Sequence, residues 1–292
     1  MPTRPVLRFA PSPNGMLHLG HAFSALSVDA YARRLGGRFL LRIEDIDTHR
    51  TRPEFVQGVF DDLAWLGLTW ETPVLHQSEH APVYATAAQR LEDLGLLYHC
   101  NASRTEIAAA ADPAKSDPDG MPLYLGRGKV LPAAESAARQ SRGEPFALRL
   151  DMPQALQAAA RKTDGAPLTF TELAADGSAR LYPADPVRWG DALLVRKDAP
   201  ASYHLAVVTD DARQGITHVT RGRDLFAATG LHRLLQVLLD LPEPIYHHHQ
   251  LITAPGGRKL AKSNGDTSLA ALRAGGITAA EIRARLGFPA GC

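Results

Sequence analysis

Cysteine is almost absent from this chain: Cys100 and the terminal Cys292 are the whole supply. Two thiols cannot make a disulfide framework, so a reducing cytoplasm is the expected setting. Long apolar runs are also missing, which predicts no membrane-spanning helix and no membrane partner. The N-terminus lacks the basic-then-apolar order of a secretion signal. Neither sign of charge is in excess: 32 Lys+Arg against 31 Asp+Glu leave a net charge of +1. Bulk electrostatics therefore do not advertise nucleic acid. The asymmetry is local. Residues 1–126 carry 11 basic and 15 acidic side chains, residues 127–162 seven against three, and residues 258–292 six against two. Such basic stripes suit a phosphate backbone and a solvated face equally well. What remains is an ordinary globular composition, 45% hydrophobic and 22% charged over 292 residues. That length is enough for a sizeable core and one large domain with an insertion, or two domains.

The chain opens with a pattern of alternating strands and helices. Val6 to Ala10 reads as a short buried strand, a helix follows to about Arg34, and Arg38 to Ile43 forms a second strand. Glu54–Leu66 and Ser78–Leu97 are helical by periodicity, with Trp70–Gln77 as a loop between them. Strands alternating with helices of this length predict an α/β fold, a doubly wound parallel sheet. From Tyr98 the character changes. Ser103-x-x-Glu106 is a capping box for an alanine-rich helix, and Asp112–Gly128, with three prolines and three glycines, is loop-like. Phe146–Asp151, Leu168–Glu172 and Trp189–Lys197 suggest short strands. The α/β pattern resumes with strands at Tyr203–Thr209 and Ile216–Thr220, a helix at Leu225–Leu239, and a strand at His248–Thr253. Two short helices near 268–274 and 278–286 end the chain. This reading divides the protein into residues 1–100 and 187–257 as two halves of one domain, 101–186 as an α+β insertion, and 258–292 as a loop with C-terminal helices.

The stretch Arg8 to His21 organises the rest. Pro11, Ser12, Pro13, Asn14 and Gly15 break the first strand with turn chemistry. A helical pattern then begins near Met16 and carries His18 and His21 on one face. A strand, a glycine-containing turn and a helix N-terminus together present backbone N–H groups to a phosphate. Gly20 inside the helix costs roughly 1 kcal/mol against alanine, so something must approach the backbone there. At the other end of the chain Lys259 and Lys262 sit in a Gly/Ser-bracketed loop after a strand. Their ammonium groups suit charge that builds during phosphoryl or adenylyl transfer. A third set, Arg8, Ser12, Glu44, Tyr203 and Arg221, falls at expected strand ends or in the turns beyond. Such residues collect at the ligand-binding rim of a parallel sheet. Arginine forks suit carboxylates and a carboxylate suits an ammonium, the needs of an acidic amino acid.

His18-Leu19-Gly20-His21 resembles the first signature of class I aminoacyl-tRNA synthetases, and Lys259-Leu260-Ala261-Lys262-Ser263 is similar to the second. The whole stretch Arg8 to His21 resembles the first signature in the glutamyl/glutaminyl branch. That resemblance implies a Rossmann-like catalytic domain that uses ATP and Mg²⁺. It implies His18, Gly20, His21, Lys259 and Lys262 as ATP-binding residues, with His18, His21 and Lys262 catalytic. It implies a glutamate site from Arg8, Phe9, Ala10, Pro11, Ser12, Glu44, Tyr203 and Arg221, in which Arg8 grips the side-chain carboxylate and Glu44 the α-ammonium. Full-length glutamyl enzymes continue into an anticodon-binding region and generally need tRNA for activation, whereas 29 residues follow Ser263 here. The shorter chain resembles the stand-alone glutamyl-Q tRNA(Asp) synthetases. Those activate L-glutamate without tRNA and attach it to the queuosine base of tRNA(Asp), which implies a cytoplasmic ligase, taken as a monomer. The alternative is a shortened glutamyl-tRNA synthetase charging a 3′ end.

One feature departs from the family. Its members often hold zinc through Cys-x-Cys and a later Tyr-x-x-x-Cys, where this chain has Cys100-Asn101-Ala102 and Tyr124-Leu125-Gly126-Arg127-Gly128. One thiolate and one phenol cannot close a four-coordinate zinc site, so no structural zinc is expected. The run His247-His248-His249 is no metal site either, since adjacent strand residues point to alternating faces.

Overall fold

The computed structural model describes residues 4–252 and 267–289, apart from Leu125, Arg127, Lys129 and Ala175. The chain separates into two compact units. One comprises Met1–Glu79, Gly215–Leu225 and Pro244–Cys292; the other comprises His80–Gln214 and Phe226–Glu243.

The first unit is built on five parallel strands. Its elements are β1 (Val6–Phe9), α1 (Leu19–Arg34), β2 (Arg38–Ile43), α2 (Pro53–Trp65), β3 (Glu71–His76), β9 (His218–Gly222), β10 (Ile245–His249), α9 (Leu269–Ala274) and α10 (Ala279–Arg285). The strand order is β3-β2-β1-β9-β10, and every neighbouring pair is parallel. The chain winds outward from β1 to β3 and returns on the opposite side of β1 with β9. The order therefore reverses between β1 and β9, where the carboxyl ends of a doubly wound sheet leave a crevice for ligands.

Helix α1 covers one face of this sheet. It buries Ala22, Ala25, Leu26, Val28, Tyr31 and Ala32, and its alanines let the backbone lie close to the strands. The Tyr31 ring stacks on His247 at 4.9 Å, and Phe23 meets His249 edge-on at 5.1 Å. Arg33 and Arg34 lie in its last turn, where positive charge offsets the dipole. The helix stops at Gly36, whose φ of 60° admits the left-handed turn. Gly37 N–H then donates to Ala32 O at 2.7 Å, satisfying a terminal carbonyl.

The second unit comprises α3 (Ala81–Asp93), β4 (Leu97–Cys100), α4 (Arg104–Ala110), α5 (Ala133–Ser141), β5 (Ala147–Leu150), α6 (Met152–Lys162), β6 (Thr169–Leu173), β7 (Ala179–Pro183), β8 (Leu193–Val195), α7 (Tyr203–Arg213) and α8 (Ala228–Leu239). Strands β4, β5 and β8 form an antiparallel sheet, and β6 pairs with β7 as a hairpin. Helices α3 and α7 are tied by Tyr84 Oη, which donates to Asp210 Oδ2 at 2.9 Å. The Ser103 capping box at α4 forms as the sequence predicts.

Two expectations of element type fail, and the strand expected at His248–Thr253 lies three residues earlier, as β10. Tyr203–Thr209 is the first half of α7 and not a strand. Seven of that helix's eleven residues are buried, including Leu205, Ala206, Val207 and Val208. A helix covered on most sides shows a continuous apolar run, which with two valines and a threonine imitates a buried strand. Conversely, the segment expected as the loop Trp70–Gln77 contains β3 at the sheet edge. Its half-exposed residues show no apolar alternation, and Pro73 is tolerated because an edge strand has spare N–H positions.

Candidate active site

The turn after β1 is held by backbone contacts before any side chain is considered. Glu44 N–H, just past the end of β2, donates to Pro11 O at 3.0 Å. This bond fixes the Pro-Ser-Pro turn against the carboxyl end of the neighbouring strand. Asp45 then anchors the next edge, accepting from Ser78 N–H and Ser78 Oγ, both at 2.8 Å.

At the start of α1 the two histidines cap the helix. His18 is the N-cap residue, and its Nδ1 accepts from Gly20 N–H at 3.1 Å. His21 Nδ1 in turn accepts from His18 N–H at 3.2 Å. This is a capping box made of imidazoles in place of Ser and Glu. The rings lie 3.9 Å apart. An Nδ1 that accepts a hydrogen bond carries no proton, so each neutral ring keeps its proton on Nε2 and has an Nε2–H to donate. The helix begins at Leu19, three residues later than the periodicity suggests.

Gly20 is explained by the same geometry. A Cβ on it would sit 3.0 Å from His18 Cε1 and 3.1 Å from His18 Nδ1. The group approaching the backbone is thus the His18 ring itself, folded back over the Gly20 amide.

Register places the charged candidates. Arg8 pairs with Leu40 in β2, and Leu7 pairs with His218 in β9. Side chains alternate along each strand, so Arg8, Arg42 and Arg221 share one face, opposite the one that α1 covers. All three are buried at the carboxyl half of the sheet, with Arg42 fully inaccessible. Arg42 Nη2 donates to Glu44 Oε1 at 3.0 Å, and Glu44 is itself buried. Arg221 Nε donates to His248 Nε2 at 3.1 Å across β9 and β10. Arg8 and Arg221 thus sit on the two strands that flank the reversal of strand order. Arg42 is paired with Glu44, and Arg8 and Arg221 bring two further buried guanidiniums to the same face of the sheet, chemistry that suits carboxylates.

Phe9 and Pro11 are buried, Ala10 is half-buried and Ser12 is exposed. Tyr203 belongs to the second unit. It opens α7 after Ser202, with its ring 5.6 Å from His232, while His204 Nδ1 lies 3.1 Å from His232 Nε2. Lys259 and Lys262 lie outside the described residues, but the described chain before them contacts α1 and the described chain after them pairs with the start of the first signature. Before them, His249 Nδ1–H donates to Gln250 O at 2.9 Å and His249 Nε2 accepts from Ser24 Oγ at 3.2 Å. Burial lowers the pKa of His249, in keeping with this neutral form. After them, Ser268 pairs with His18, and Leu269 N–H donates to Leu17 O at 2.8 Å. Sequence reasoning missed Arg42 and His248. The Arg42-x-Glu44 alternation was a usable signal for the first; the second needs the pairing of two distant strands.

The position where family members often hold zinc is filled by other chemistry. Cys100 Sγ donates to Tyr124 Oη at 3.4 Å, and both pack with Tyr98 and Ala102. The Arg149 guanidinium lies 4.0 Å over the Tyr124 ring. Tyr98 Oη donates to Asp191 Oδ2 at 2.5 Å, and Asp191 Oδ1 accepts from Met152 N–H at 3.0 Å. Burial pushes both phenols well above the usual tyrosine range, which keeps both protonated and leaves Tyr98 the proton it donates to Asp191. These residues do not fit zinc, and among the described residues no group of three or more His, Cys, Asp or Glu could hold a metal ion. The three histidines of β10 alternate as expected: His247 and His249 face α1, and His248 faces Arg221.

Residues 6–278 match the family model for the catalytic domain of class I tRNA synthetases (E and Q). The chain is 45% identical to a glutamyl-Q tRNA(Asp) synthetase of Rhodobacter capsulatus, over 97% of this chain and the whole of that one. It is 39% identical to a protein of the same description from Symbiobacterium thermophilum, over 97% of this chain and 86% of the relative. Among solved structures it is similar to a glutamate tRNA ligase of Elizabethkingia meningosepticum in complex with its amino acid. That match has a TM-score of 0.69 and 26% identity, over 90% of this chain and 53% of that one. The chain spans about half the length of that solved ligase.

Proposed function

The chain belongs to the class I tRNA synthetase (E and Q) catalytic-domain family, and from that premise we propose that it is a glutamyl-Q tRNA(Asp) synthetase. In the first step the α-carboxylate of L-glutamate attacks the α-phosphorus of ATP, the α–β bridging bond breaks, and pyrophosphate leaves. In the second, a hydroxyl of the queuosine base in tRNA(Asp) attacks the glutamyl carbonyl, and AMP leaves. Neither step requires a nucleophile from the protein, so catalysis rests on positioning and on donors aimed at developing charge.

The observation that carries this reading is the rim shared by β1, β2 and β9, where buried arginines meet Glu44 beside a helix start capped by two imidazoles. Arg8 takes the side-chain carboxylate and Glu44 the α-ammonium. Phe9, Ala10, Pro11 and Ser12 line the turn, and Arg221 completes the amino-acid site of this unit; Tyr203 is assigned to glutamate by its likeness to the family alone. His18 and His21, through Nε2–H, stabilise the phosphates over Gly20. Lys259 and Lys262 are assigned to the triphosphate by their likeness to the second signature. No cluster of protein ligands for Mg²⁺ occurs among the described residues, so the ion is assigned to the nucleotide's own phosphates. The tRNA substrate places the reaction in the cytoplasm, and we take the working unit to be a monomer. No described helix is long and apolar enough to cross a membrane.

Transfer of labelled glutamate to queuosine-containing tRNA(Asp), unmodified tRNA(Asp) and tRNA(Glu) tests the reading. Label on the first alone is expected. Periodate-sensitive charging of tRNA(Glu) at its 3′ end would instead support a shortened glutamyl-tRNA synthetase.

A further inference from the structure

Arg221 does not sit alone at the end of β9. His248 faces it directly in the register of the parallel pair, and both are buried. The bond between them runs from Arg221 Nε to His248 Nε2 at 3.1 Å. Arginine can only donate, so His248 Nε2 must be the acceptor and its proton must lie on Nδ1. Tyr246, two residues earlier on β10, stacks almost parallel to the His248 ring, 6° apart and 5.9 Å between centroids. The same Tyr246 ring lies 5.5 Å from the Arg221 guanidinium. The imidazole is therefore held by its strand neighbour while it holds the arginine.

A guanidinium can grip a carboxylate either side-on, through Nε and one Nη, or end-on, through both Nη groups. With Nε committed to His248, the side-on mode is closed. We propose that His248 is a positioning residue for the glutamate site. It holds Arg221 by Nε, so that the fork meets a substrate carboxylate end-on at the carboxyl edge of β9. This inference rests on the proposed role of Arg221 as a glutamate ligand. Since it acts through the amino-acid site alone, its loss should appear in glutamate binding and leave the nucleotide side unaffected.

Glutamate-dependent ATP–pyrophosphate exchange by the full chain tests it, with His248→Leu and His248→Gln compared to the parent. Loss of one hydrogen bond to a charged group should raise the KM for glutamate about tenfold in His248→Leu. The KM for ATP and the limiting rate should stay within about twofold, on the same ground that only that one bond is removed. His248→Gln, whose side-chain oxygen can accept from Nε, should recover most of the glutamate affinity. Imidazole ¹⁵N spectra of the parent should show His248 protonated at Nδ1 and bare at Nε2, which decides the matter if the Leu variant fails to fold. An unchanged glutamate KM in His248→Leu, an equal rise in both KM values, or a proton on Nε2 would overturn the inference while the activity stands. A parent protein with no glutamate-dependent exchange would sink the functional reading, and the inference with it.

Discussion

At the carboxyl edge of the parallel sheet Arg8, Arg42 and Arg221 lie buried beside Glu44. In the second unit Cys100, Tyr124, Tyr98 and Asp191 are buried just as deeply but spend their donors and acceptors on one another and on the backbone. The first arrangement gathers several guanidiniums on one face of the sheet, chemistry that suits a bound carboxylate. The second pairs most of its donors and acceptors within the cluster and with the backbone. Where the groups satisfy each other in this way, their burial marks a structural seam.

The largest effect that would break this contrast is expected at Arg8. Removing a buried charged partner of a ligand typically costs 2–5 kcal/mol. Arg8→Ala should thus lower kcat/KM for glutamate in pyrophosphate exchange by roughly two to three orders of magnitude, with the KM for ATP nearly unchanged. A loss spread equally over both substrates would mean that Arg8 supports the fold and not the amino acid.

The next effect separates the two jobs of His18. His18→Asn keeps an N-cap acceptor and should retain thermal stability, while His18→Ala should lose about 1 kcal/mol. Both should slow exchange about a hundredfold by removing the donor to the phosphates. Full activity in His18→Asn would reduce the histidine to a cap.

Asp62 of α2 sharpens the comparison from another side. It is fully buried, with Arg273 Nη2 at 3.5 Å and neither carboxylate oxygen hydrogen-bonded. Burial raises its pKa from 3.8 to about 6. The native protein thus holds a proton that the unfolded chain has already released, so this group's contribution to stability falls as pH rises from about 4 to about 6 and then levels off. Asp62→Asn should flatten that part of the profile and raise stability above pH 7 by on the order of 2 kcal/mol. Urea unfolding of both proteins at pH 5 and 7.5 measures it, and an unchanged pH slope would contradict it.

The smallest effect is expected in the Cys100–Tyr124 cluster. Tyr124→Phe removes the acceptor for Cys100 and should cost about 1 kcal/mol or less, leaving exchange unaltered. Metal analysis of the purified chain should find no stoichiometric zinc; about one zinc per chain would return this cluster to the class of binding sites.

The first signature could be read directly because fourteen contiguous residues, Arg8 to His21, carry strand, turn and helix start with their own local chemistry. The part played by Gly20 could be read only halfway. The sequence shows that something crowds its amide, but not that the crowding group is the preceding histidine. Tyr203 was expected on a strand and lies on a helix, because α7 is buried on most of its circumference and loses the helical alternation. Arg42 and His248 were missed for two different reasons. Arg42 faces Glu44 two residues on, a local alternation that was legible but carries no motif, whereas His248 faces Arg221 across β9 and β10, strands that meet only after the chain has folded.

The most direct test of the whole account is glutamate-dependent ATP–pyrophosphate exchange measured without any tRNA. Exchange that saturates with glutamate, is absent with glutamine and aspartate, and is not raised by added tRNA is the predicted result. Exchange that appears only when tRNA(Glu) is supplied, or that another amino acid supports equally well, would contradict it.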